Sequence, residues 1–434
     1  MRKENPRLNA ITLDLGDQAL ATAAKLDERR ARGETIGPLF GVPVTIKDNV
    51  DVRGQRTPNG VTELSNVIAP DDSPVVKNLQ DAGSVIIGRT NTPEFSMRAT
   101  TNNPLYGLTK NPWDERISCG GSSGGAGAAV ASGMGALAHG NDIGGSVRFP
   151  ALHCGVAGLK PTQGRVPAFA PSAPVERPTI STLMSVQGVL ARCVSDLRLA
   201  LGAMSARDSR DPWWAPAPLE GPPAPRRVGL IDSIPGMPIA PLVAEALGKA
   251  ARALESAGYD VEPIAPPSLA ESRDLAMRLL LTDIQHQMLP MVERMGSEQI
   301  KWYFGVMFEI ASPYNDVGEY LQALMARTSL LRKWLLQLDE YPVVLAPQQL
   351  GPLMKVDEDM ESAQKLKELW LSFAPSITVN LLGLPSLVVP TGLGDNLPMG
   401  VQLIAGRYRE DLCLAAGEAV ERQAGTLVQK LWSR

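Results

Sequence analysis

The chain has 434 residues, 44% hydrophobic and 20% charged, with a formal net charge of −4. That length allows two or three average domains or one large α/β domain, with ample material for a core. No basic field dominates, which argues against a nucleic-acid or anionic-membrane partner. No stretch approaches the ~20 apolar residues of a membrane span.

The first ten residues lack an apolar run of signal-peptide length, so a cytoplasmic protein is the default expectation. Residues Asp14 to Arg32 read as a helix, with Leu15, Ala19, Ala23 and Leu26 on one face and Gly33 as its stop. The arginines of Arg29-Arg30-Ala-Arg32 suit a solvated face. Val42 to Val50 predicts a short apolar strand that carries Lys47, where either a snorkelling lysine or a functional one is possible.

Ser73 to Ala82 then reads as helix and Ser84 to Gly88 as buried strand, a doubly wound α/β rhythm. Gly124 to Ala138 carries no charge and many Ala and Gly residues, which predicts one buried helix in close backbone contact with its neighbours. Pro212 to Pro225 predicts a surface crossing between two halves of a sheet, its Trp213 and Trp214 favouring burial. Arg227 to Asp232 reads as strand, Pro241 to Gly258 as amphipathic helix, and Tyr259 to Glu262 as extended. The region at about 269–338 is long-helical and rich in methionine and aromatics, including Met288, Met291, Trp302, Tyr303, Phe304, Met307, Phe308 and Tyr314. Most of these suit a core, and some suit the wall of an adaptable apolar pocket. Strands at Val343–Ala346, Leu387–Val389 and Met399–Ile404 and a helix from Glu410 to Gln423 complete the series.

The chemistry concentrates in two glycine nests, Cys119-Gly-Gly-Ser122-Ser123-Gly-Gly125 and Gly140-Asn-Asp-Ile-Gly-Gly-Ser146-Val-Arg148. No Gly-Lys-Ser/Thr follows either nest, which excludes a Walker A loop, and Gly133-Met-Gly135 is a weak dinucleotide fingerprint. A backbone cradle for an anion or a developing oxyanion remains, with Ile143, Gly144, Gly145 and Ser146 as the N–H donors. The four cysteines are too scattered for a zinc site or a disulfide framework; Cys119 and Cys154 flank the nests as small buried side chains or reactive thiols. With only three histidines, His139, His153 and His286, nucleophile chemistry without histidine is the natural expectation, and lysine can serve as base.

Gly120 to Gly125, Gly144-Gly-Ser146, Gly158-Leu-Lys-Pro-Thr162, Gly41-Val-Pro-Val-Thr-Ile-Lys-Asp-Asn49 and Gly88-Arg-Thr-Asn-Thr-Pro-Glu-Phe95 together resemble the amidase signature family of serine hydrolases. Similarity is dense from about residue 37 to 165 and resumes at about 341 to 420. The resemblance implies Ser146 as acyl nucleophile, Ser122 as bridging serine after a cis peptide bond, and Lys47 as general base that must be neutral to accept a proton. Asp142 and Arg148 are expected to pair and brace the loop, and Ser123 to hydrogen-bond within the nest. Two residues depart from the family pattern: Asn141 stands where threonine is usual, with an expected effect on how Ser123 is held, and Cys119 where proline is common. Family members also carry helical residues ahead of Asn5-Pro-Arg-Leu-Asn9, so a shortened start or a lost covering helix, and a more open mouth, are expected.

The fold so implied is α/β, a single domain over 1–434 with one large mixed β-sheet covered by helices on both faces and a helical lid at about 269–338. It needs no metal and no cofactor. The expected activity is hydrolysis of C–N bonds in a small-molecule amide, with carbamates (urethanes) and esters as chemical neighbours, by a monomer or homodimer. The alternative is the glutaminase subunit of a tRNA-dependent amidotransferase. A catalytically silent binding module fits poorly with intact Lys47, Ser122 and Ser146.

Overall fold

The central strands carry apolar residues on both faces, as strands buried under two layers of helices must. In the computed structural model, which describes residues 1–433, eleven strands form one mixed sheet. They are β1 (Ile11–Asp14), β2 (Pro43–Lys47), β3 (Val85–Thr90), β4 (Leu137–Asp142), β5 (Ala157–Lys160) and β6 (Val186–Ala191). The second half supplies β7 (Arg227–Leu230), β8 (Asp260–Pro263), β9 (Val343–Ala346), β10 (Ser386–Gly394) and β11 (Leu397–Ala405). Their order is β1-β3-β2-β4-β6-β5-β10-β11-β9-β7-β8. β2 runs parallel to both β3 and β4, whereas β4 to β6, β5 to β6 and β10 to β5 and β11 are antiparallel.

Alternation along β9 shows the layering. Val343 and Leu345 pack with helices Val194–Met204, Pro241–Ser256 and Glu410–Ala424. Val344 and Ala346 face the other way, into helices Leu269–Gln287, Val317–Glu340 and Ala374–Leu382. A third core joins Ala138, Leu190 and Val388 to helices Gly124–Ala131 and Arg148–Cys154.

One expected element is corrected here. The uncharged stretch from Gly124 is helical only to Ala131, and Leu137 to Asp142 is strand β4. Gly133 and Gly135 take φ of 74° and 124°, which ends the helix and turns the chain into the sheet. Strand β1 also occupies Ile11 to Asp14, so the first long helix begins at Gly16. The proline-rich stretch does cross from the half of the sheet holding β6 to that holding β7, but Trp213 is 52% exposed there. Trp214 is half-buried and donates to the Ser205 carbonyl.

Candidate active site

Because β2 and β4 are parallel, their C-terminal ends bring Lys47 and Asp142 to the same edge of the sheet, where α/β sheets place ligands. Lys47 is the last residue of β2 and is fully buried. Its Nζ hydrogen-bonds Ser122 Oγ at 2.7 Å and Asn141 Oδ1 at 2.8 Å. Ser122 follows a cis peptide bond from Gly121 and leads into helix Gly124–Ala131. Close approach requires glycine here: a Cβ at Gly121 would lie 2.5 Å from the Arg98 carbonyl oxygen. Burial pushes the Lys47 ammonium well below the usual lysine range, and the Asp142 carboxylate opposes that shift without cancelling it.

The loop that carries Ser146 is organised by Asp142. Its carboxylate accepts the N–H groups of Gly145 at 2.8 Å and Val147 at 3.0 Å, and both guanidinium contacts of Arg148 at 3.1 Å. Burial alone would raise this carboxyl, but the adjacent Arg148 guanidinium holds it well below the usual carboxylate range. Arg148 also donates to Gln402 Oε1 at 3.1 Å, to the Ser376 carbonyl at 3.0 Å and to Asn380 Oδ1. Both members of the pair are 0% exposed. Arg148→Leu therefore leaves a buried carboxylate without its cation, and a loss of about 3–5 kcal/mol is expected in chemical denaturation. A loss under about 1 kcal/mol would show that the pair does not brace the loop.

This geometry corrects the expected oxyanion cradle. The Gly145 N–H is committed to Asp142, so it is not a donor to a developing oxyanion. Gly145 has φ of 125°, and a Cβ there would lie 2.3 Å from the Phe149 ring, so its part is the turn itself. Ile143, Gly144 and Ser146 remain as candidate donors at the pocket. Ser123 donates its N–H to the Ser146 carbonyl at 3.1 Å and its hydroxyl to the Asn141 carbonyl at 3.4 Å. The Asn141 side chain thus acts on Lys47, and its effect on Ser123 runs only through the backbone.

Ser146 opens into a pocket walled by Met97, Phe149, Leu280, Tyr303, Trp370 and Phe373. Phe149 and Phe373 are tilted at 4.4 Å between ring centroids, and Trp370 meets Phe373 edge-on at 5.9 Å. Of the methionine and aromatic side chains expected in the 269–338 region, Tyr303 reaches the pocket, while Phe304 and Met307 are core. Arg98, also on the wall, is held by Asp357 at 2.6 Å and Asp359 at 2.7 Å. Trp370, Phe373 and the amide Asn49 escaped sequence reasoning as site residues; only Asn49, inside the Lys47 motif, left a local signal.

None of the three histidines lines the pocket that holds Ser146. His139 is buried against Gln187 at 2.8 Å, its pKa pushed down to about 3 by burial, and His153 is buried against the Ser118 carbonyl at 2.9 Å. His286 is exposed. Burial pushes the Cys119 thiol up to about 12 and the Cys154 thiol well above its ordinary value, so both stay protonated. Among the described residues no group of acidic, histidine and cysteine side chains could hold a metal ion, and no helix is long and apolar enough to cross a membrane.

A fold of this topology, with a lysine and two glycine-borne serines at one sheet edge, defines a class. A model of the Amidase family matches residues 1–414. The chain belongs to the amidase signature family and is by class a hydrolase of amide C–N bonds. Indoleacetamide hydrolase of Bradyrhizobium diazoefficiens is 49% identical over 436 residues, covering 100% of this chain and 83% of that protein. A glutamyl-tRNA(Gln) amidotransferase subunit of Moorella thermoacetica is 33% identical over 445 residues, covering 96% and 89%. The crystal structure of a bacterial aryl acylamidase of the amidase signature family superposes with a TM-score of 0.84 at 26% identity, covering 99% of this chain and 92% of that one.

Proposed function

We propose that the protein hydrolyses a small aryl-bearing amide through an ester formed on Ser146. The observation that carries this is the buried 2.7 Å contact of Lys47 Nζ with Ser122 Oγ beside an aromatic-walled pocket that holds Ser146. Neutral Lys47 takes the Ser122 proton while Ser122 takes that of Ser146, and Ser146 Oγ bonds to the carbonyl carbon. The developing oxyanion faces the N–H groups of Ile143, Gly144 and Ser146. The C–N bond then breaks, and the leaving nitrogen receives the proton from Lys47 by way of Ser122. Water repeats the sequence on the ester, releasing the acid and restoring Ser146.

The aromatic wall and the similarity to an indoleacetamide hydrolase support an arylacetamide as substrate class. Carbamates and esters pass through the same tetrahedral geometry and are expected as further substrates. Leu280 and Tyr303 come from the 269–338 helices, which serve in this reading as the wall and lid.

A panel of indoleacetamide, an aryl anilide, a fatty amide, an aryl carbamate and glutamine tests the proposal. The highest kcat/KM is expected for indoleacetamide, and Trp370→Ala is expected to raise its KM by about 3–10-fold through loss of an aromatic contact. Glutamine as the best substrate, with activity only beside a partner protein, would instead favour the amidotransferase reading raised by the 33% identical relatives.

A further inference from the structure

A neutral lysine amine has two N–H bonds and one lone pair, and only the lone pair can take a proton. Burying Lys47 makes the neutral form accessible, but nothing in burial aims the lone pair at Ser122. The second contact of Nζ does. At 2.8 Å the amide oxygen of Asn141 can only accept, so it draws one N–H toward itself.

The orientation of Asn141 is itself fixed. Its Nδ2 donates to Asn49 Oδ1 at 2.9 Å, and Asn49 Nδ2 returns a longer bond to Asn141 Oδ1 at 3.3 Å. Asn49 Nδ2 also donates to Ser96 Oγ at 2.9 Å, and Ser96 donates onward to Asn59 Oδ1 at 2.6 Å. Ser96 lines the catalytic pocket and sits in the left-handed region, with φ of 59°. A flipped Asn141 amide would set oxygen against oxygen and NH₂ against NH₂ at Asn49, so it is the Asn49 side of the network that fixes the orientation.

Resting on the hydrolase reading above, we propose that Asn141 is the positioning residue of the general base: its amide oxygen orients the Lys47 amine toward Ser122, and the Asn49–Ser96 chain ties that orientation to the pocket wall. Asn141 adds an acceptor without adding a charge. The charged and titratable groups around Lys47 are Asp142 and His139 from β4, Arg89 from β3, whose guanidinium donates to the Lys47 carbonyl at 3.2 Å, and the adjacent Asp48. A threonine hydroxyl, which could itself donate, would orient the amine less strictly.

The test is the pH dependence of kcat/KM on an arylacetamide for full-length variants whose folding is checked by thermal melting. Asn141→Asp sets a carboxylate against Nζ, so the acid limb is expected to move up by about one pH unit or more. Activity near neutrality then falls by about tenfold per unit and recovers at higher pH, with KM little changed. Asn141→Leu is expected to lower kcat at every pH, whereas Asn141→Thr, which keeps an oxygen acceptor, retains more of it. An unmoved limb in a folded Asn141→Asp variant would show that this side chain does not meet the Lys47 amine, and overturns the proposal. Equal kcat in the Leu and Thr variants overturns it as well. The hydrolase reading fails separately, if Lys47→Ala turns over at the wild-type rate whatever the Asn141 variants do.

Discussion

Ser146→Ala is expected to lower kcat on any amide substrate by about 10⁴-fold or more, as removal of the nucleophile does in serine hydrolases. The loop should survive the change. Its shape is set by Asp142, through Gly145, Val147 and Arg148, and by the Ser123 N–H on the Ser146 carbonyl, none of which uses the Ser146 hydroxyl. The melting temperature is therefore expected to stay close to wild type while turnover disappears. Burst kinetics with a chromogenic ester supply the complementary check, because the covalent intermediate accumulates only if Ser146 is present. A Ser146→Ala variant that retains turnover removes the acyl-enzyme mechanism outright.

Lys47→Ala is expected to cost about 10²–10⁴-fold in kcat/KM, the usual contribution of general acid–base catalysis. The pH profile carries the sharper information. Only a neutral amine can act as base, so wild-type activity is expected to rise as pH increases through the folded-state pKa of Lys47. Burial depresses that pKa well below 10.5, which places the rise well below the pH at which an exposed lysine titrates. Asp48 lies next in the chain, its carboxyl raised to about 6 by burial, and its own titration is separated from that of Lys47 by Asp48→Asn. Lys47→Arg keeps the charge at every pH and is expected to be as inactive as Lys47→Ala throughout. An acid limb that persists unchanged in Lys47→Ala would assign it to another group.

The site was more legible in the chain than the sheet was. The glycine nests announce themselves because a φ of 125° at Gly145 and the press of Gly121 against residue 98 are backbone demands that few residues meet. The strands are harder to read. Leu137-Ala-His-Gly-Asn-Asp142 has no β-branched residue, so β4 resembles a continuation of the alanine-rich helix before it, and only Gly133 and Gly135 mark the break. Ala157-Gly-Leu-Lys160 is similarly weak, and its strand character comes from β6 and β10 on either side. The pocket wall was hidden for another reason. Trp370 closes a helix, Ala363–Ser372, whose exposed face is charged, and its approach to Phe149 and Ser146 is a matter of tertiary packing. Asn141 stood out as a departure from the family pattern, but its contact with Lys47 depends on the register of β2 against β4.

The ties of Arg148 carry a consequence for how the enzyme comes into being. Lys47, Ser122 and Ser146 all lie early in the chain, yet the guanidinium that braces the Ser146 loop finds Asn380 and Gln402 at sequence separations of 232 and 254. A ribosome therefore exposes Ser146 long before the side chains that hold its loop have been made. Loop closures of that span are late events in folding. A nascent or prematurely ended chain that already holds Lys47, Ser122 and Ser146 is thus expected to be silent, and hydrolysis to begin only when the last strands of the sheet have joined.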